Sequence, residues 1–118
     1  MDISEVEKIL AEHPLLPKPR YVLLTEEPVT ANVDGMLVFR GLTPKWRKDA
    51  IVLTPLANDE TVVHEVLHTL GFGELGAYTL APLLRRLRKL LPPLLRGNVK
   101  YRFKGYVHPK IKLYERVE

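Results

Sequence analysis

The sequence predicts an α+β domain. Three observations carry that prediction: an Asp34-Gly35 pair framed by β-favouring residues, a helical pattern from about Glu60 to Leu70, and alternation of apolar with basic residues near the C-terminus. With 118 residues the chain has the length of a single domain, 1–118, and can support one core. The expected architecture is a short twisted β-sheet, a central helix ending at Gly71, a second helix and a C-terminal β-ribbon.

In chain order, Ser4 and Glu7 have the spacing of a capping box, with Val6, Ile9 and Leu10 on one face of a first helix. His13-Pro14 stops it, and a proline-rich connector runs to Pro19. Tyr21 to Thr25 is a short strand. Asp34-Gly35 reads as a hairpin turn, because both turn positions need positive φ. Thr43 to Lys48 reads as an exposed loop, and Ala50 to Leu53 as a strand ending at Pro55.

Asn58 or Asp59 can cap the central helix, and Gly71 accepts the left-handed conformation that ends it. Beyond it, Leu80, Leu83, Leu84, Leu87, Leu90 and Leu91 form an apolar stripe opposite Arg85, Arg86, Arg88 and Lys89. Pro82 must lie in the first turn of that helix or kink it, and Pro92-Pro93 ends it. In the last segment Val99, Tyr101 and Phe103 alternate with Lys100, Arg102 and Lys104, which places the aromatic residues in the core.

The chain has no cysteine, which removes disulfides, thiolate nucleophiles and Cys-based zinc sites together. The acidic N-terminus does not read as a secretory signal, and no apolar run is long enough to span a bilayer, so a cytoplasmic protein is expected. Absence of glutamine with abundant Lys, Arg, Glu and Pro is compatible with a thermophile. The net charge of +4 is unevenly spread: Arg85 to Glu118 holds 11 basic residues and only 2 acidic ones. Such a segment can meet nucleic acid or an acidic protein, or serve as a solvated face.

The chemistry sits in Thr61 to Glu74, TVVHEVLHTLGFGE. His64 and His68, four apart, share one helical face and can grip one ion. Glu65 is displaced around the helix, in reach of a water beside that ion, as a general base requires. Gly71 lets the chain turn so that Glu74 can supply a third ligand. Asp59, Glu60, His108 and His13 are its alternatives, and Glu74 could instead cap the next helix.

The run from His64 to Glu74 reads HExxHxxGxxE and resembles the zincin metallopeptidases. The spacing is similar to that of metzincins, whose last position is normally His, while the Glu resembles the gluzincin choice. The methionine turn that metzincin kinship implies has no counterpart, since Met1 and Met36 both lie upstream. The resemblance implies a Zn2+ peptidase with Glu65 as base, acting on peptides or unfolded protein. It also implies an oxyanion donor, for which Tyr78, Tyr101, Tyr106 and His108 are candidates. Ala50 to Thr54 resembles the edge strand that pairs with extended substrate. The competing expectation is a binding module of the same fold whose basic C-terminal third contacts nucleic acid or a protein partner. Another hydrolase, such as a nuclease, is a third.

Overall fold

The computed structural model describes residues 1–32, 36–44, 47–90 and 98–117. The α+β prediction holds: three helices pack on a mixed five-stranded sheet. The sheet has the order β4-β5-β1-β7-β6, formed by Gly41–Leu42, Ala50–Leu53, Tyr21–Thr25, Ile111–Arg116 and Tyr101–His108 respectively. β1 and β5 run parallel and the other neighbours antiparallel. β2 (Val29–Asn32) and β3 (Met36–Phe39) pair antiparallel as a separate ribbon, and the Asp34-Gly35 turn expected between them lies outside the described residues.

Alternation along β1 and β5 aims Val22, Leu24, Ile51 and Leu53 at the helices. There they meet Val6, Ile9 and Leu10 of α1 (Ile3–Ala11) and Val62, Val63, Val66 and Leu67 of α2 (Asp59–Thr69). Among the described residues no helix is long and apolar enough to cross a membrane.

Two helix starts differ from expectation. α1 is capped by Asp2, whose side chain accepts from the Glu5 N–H at 2.9 Å, two residues before the Ser4/Glu7 box. Aspartate and serine are comparable caps, so the pattern could not choose between registers. α3 (Glu74–Arg88) begins directly after the turn and carries Pro82 in its interior. The missing proline N–H leaves the Tyr78 carbonyl without its usual intrahelical donor. Ala77 and Ala81, rather than the leucines, form its fully buried face, with Leu80 and Leu84 partly covered and Leu83, Leu87 and Leu90 exposed. Leu91 and Pro92-Pro93 lie outside the described residues.

A charged knot ties the three helices together. Glu12 and His13, both buried at the end of α1, meet Arg85 of α3: Nη1 is 3.5 Å from Glu12 Oε1 and 3.2 Å from His13 Nε2. Arg85 Nη2 also pairs with Asp59 at 3.0 Å, and Arg88 pairs with Glu12. Burial, then the charges of Arg85 and Lys18, hold the His13 imidazole down at about 4. Between that value and the ordinary 6.5 the unfolded chain binds a proton that the folded chain refuses. Stability from this group is therefore complete above about pH 6.5 and is lost as pH falls toward 4. Denaturant unfolding at pH 7 and pH 5 should show a loss of about 1–2 kcal/mol, after allowance for solvent screening, that is smaller in His13→Asn. Equal pH slopes in the two proteins would refute the assignment.

Candidate metal centre

The ends of α2 set the geometry of this site. Asn58 caps the helix: its side chain accepts from the Thr61 N–H at 3.0 Å, and the Thr61 hydroxyl accepts from the Asn58 N–H at 3.1 Å. At the other end Gly71 takes φ +98°, its N–H donates to His68 O at 3.0 Å and the Phe72 N–H donates to Leu67 O at 3.2 Å. This pair of bonds is a Schellman motif, which glycine alone enters without strain. Its consequence is chemical. The turn brings the Phe72 carbonyl to 2.8 Å from His68 Nδ1. A carbonyl only accepts, so Nδ1 is the donor there and Nε2 is the nitrogen turned toward His64 and Glu74, the orientation of a metal ligand.

The two Nε2 atoms of His64 and His68 stand 3.0 Å apart. Two nitrogens bound tetrahedrally at 2.0–2.1 Å would be about 3.3 Å apart, so the rings are already close to that spacing. Glu74, the first residue of α3, turns its carboxylate onto the same point, with Oε1 2.8 Å from His68 Nε2 and Oε2 3.6 Å from His64 Nε2. Its position at the start of a helix and its approach to the histidines are thus compatible, and the helix terminus favours its negative charge. Glu65 Oε2 is 4.0 Å from His64 Nε2. His64, Glu65 and His68 form a group that could hold a metal ion, their ligand atoms all within 4.8 Å of one another.

Electrostatics sort the members. Burial, then the neighbouring His68, lower the His64 pKa and keep that ring neutral, as a ligand must be. Glu65 is only 5% exposed, and burial raises its carboxyl above the usual range against the opposing hydrogen bond from Thr43. A carboxylate made more basic by its surroundings is a better proton acceptor.

Thr43 was not expected here. Its hydroxyl lies 2.7 Å from Glu65 Oε1 and 3.1 Å from the Glu65 carbonyl, so the segment read as an exposed loop in fact fastens the carboxylate. The approach is close because Gly41, two residues earlier in β4, has no side chain. A Cβ there would stand 2.9 Å from both Glu65 Cγ and Thr61 Cγ2. Gly41→Ala should therefore cost about 1–3 kcal/mol of stability in denaturant unfolding. A neutral result would show that β4 can back away freely.

The other candidates separate cleanly. Tyr78 packs edge-on against His64, ring centroids 4.6 Å apart. Tyr101 is buried and donates its hydroxyl to the Pro19 carbonyl, and Tyr106 and His108 belong to β6. Asp59 and His13 are held by Arg85. Glu60 sits in the first turn of α2 and influences His64 only through its charge. The substrate-edge expectation for Ala50 to Thr54 is corrected, because β5 is hydrogen-bonded on both sides, to β1 and β4. The short β4 lies outside it, next to Glu65.

Compared with protein-family models, curated proteins and solved structures, the chain matches none. The functional reading therefore rests on the site itself.

Proposed function

We propose that the chain is a zinc-dependent peptidase of the zincin kind, in which His64, His68 and Glu74 hold Zn2+ and Glu65 is the general base. The observation that carries the reading is the convergence of the two Nε2 atoms, 3.0 Å apart, with a carboxylate delivered by the Schellman turn. Distance separates the roles of the two glutamates. Atoms sharing an ion at 2.0–2.1 Å lie at most about 4.2 Å apart and typically nearer 3.3 Å. Glu74 at 2.8 and 3.6 Å meets that condition comfortably, whereas Glu65 at 4.0 Å sits at its limit. Glu65 is instead anchored through Oε1 by Thr43, which leaves Oε2 turned toward the histidines.

Bound there, zinc would supply Lewis acidity, polarising a peptide carbonyl and making water more acidic. The residues of the chain do the rest. Glu65 Oε2 takes a proton from the attacking water as the carbon–oxygen bond forms. It then gives that proton to the amide nitrogen as the carbon–nitrogen bond breaks. Thr43 keeps the carboxylate aimed, and Tyr78 is the one oxyanion-donor candidate seated beside a ligand. Peptides or unfolded protein segments are the proposed substrates.

The test is metal analysis of the purified chain together with a peptide-library digest. About one zinc per chain and cleavage abolished by a chelator are expected. A protein that takes up no zinc while correctly folded would refute the proposal.

A further inference from the structure

The aromatic residues of the C-terminal ribbon do not all enter the core. Tyr101 is buried and Tyr114 partly so, yet Phe103 is 48% and Tyr106 56% exposed. Residues three apart on a regular strand point to opposite faces. Here register shifts between Phe103 and Gly105, and between Tyr106 and His108, break the alternation, with Gly105 at φ +113°. Phe103 then stands opposite Tyr114 and Tyr106 opposite Lys112 on one face, and the Phe103 and Tyr106 rings meet at 5.6 Å between centroids. A bulge that re-aims a side chain costs ladder bonds and here exposes apolar area.

Cations lie on both faces of the ribbon that carries the pair. Lys112 shares their face, opposite Tyr106, and Lys104 is the unpaired residue of the bulge beside Phe103, while Lys100 and Arg102 point to the other face of the edge strand β6. Lys100, Arg102 and Lys104 are exposed, and neither they nor Lys112 form an ion pair among the described residues. Glu115, the one acid between Lys100 and Val117, lies 4.0 Å from Arg20. From these observations we propose that the β6–β7 ribbon is a binding surface for single-stranded nucleic acid. Phe103 and Tyr106 stack bases while Lys104 and Lys112 beside them, and Lys100 and Arg102 round the open edge of β6, meet phosphates. An acidic protein would satisfy the cations but has little use for two adjacent open rings, and a duplex keeps its bases from stacking on them. β6 is four strand spacings, about 19 Å, across the sheet from β4, the strand beside Glu65, and shares no residue with the metal centre, so this surface stands independently of the peptidase reading.

Fluorescence anisotropy with a labelled 12-nucleotide oligo-dT and oligo-rU, from 50 to 300 mM salt, tests it. Binding is expected at low salt, with log K falling against log salt at a slope of about −2 to −3 for three or four phosphates. Phe103→Ala and Tyr106→Ala should each weaken binding about tenfold. Phe103→Leu, which keeps apolar packing, should lose nearly as much, with circular dichroism unchanged. Lys104→Gln with Lys112→Gln should flatten the slope by about 1.4. No binding at 50 mM salt would overturn the proposal. So would aromatic replacements without effect, or a polyglutamate peptide competing as well as unlabelled oligonucleotide, which would assign the surface to an acidic protein.

Discussion

Glu65→Gln is expected to retain about one zinc per chain and to lower peptide hydrolysis by a factor of 10² to 10⁴, the usual contribution of a positioned base. Glutamine has nearly the same shape, and its amide oxygen can take the place of Oε1 in accepting from Thr43. The histidines, the Schellman turn and Glu74 are untouched, so the loss is confined to proton transfer. Burial already disfavours the charged form of Glu65, so the neutral amide should be at least as stable in denaturant unfolding. Metal analysis, unfolding and peptide cleavage on one preparation separate these effects. A variant that cleaves as well as its parent would remove Glu65 from the mechanism.

His68→Ala should lose both metal and activity, and with them the response of stability to zinc. In the parent, zinc at a thousandfold excess over its dissociation constant would stabilise the folded chain by about 4 kcal/mol. For a domain of this size that corresponds to roughly 10–20 °C in melting temperature, reversed by a chelator. The variant deletes the ring whose Nδ1 is fixed by Phe72 and whose Nε2 faces both His64 and Glu74, so no remaining pair reproduces the site. Its melting curve should be the same with and without chelator. Glu74→Ala should show an intermediate shift, because it removes one exposed ligand and leaves both rings in place. If His68→Ala still melts higher with zinc, the ion binds elsewhere.

Much of α2 was legible because its signals are local. A cap at Asn58 or Asp59, the i,i+4 histidines and the stop at Gly71 each depend on residues within one or two turns, and the structure has all three, with Asn58 as the cap. α3 was less so. Its apolar stripe is real, but whether leucines or alanines are buried depends on how closely α2 approaches, and α2 favours Ala77 and Ala81. The placement of β5 failed for the same reason: an apolar strand reads alike at an edge and in the interior, and only the arrival of β4 made it interior.

The sequence by itself determined the α+β class, the pairing of His64 with His68 and the glycine turn that brings Glu74 back, because these are set by helical period and by backbone conformations open to few residues. Tertiary structure alone decided that Gly41 and Thr43 close over Glu65, that Arg85 draws Asp59 and His13 away from the histidine pair, and that Phe103 and Tyr106 face solvent. Each of these is a contact between segments distant in sequence, or the absence of one. Residue type records what a side chain can do, and only packing decides which neighbours and how much water it meets.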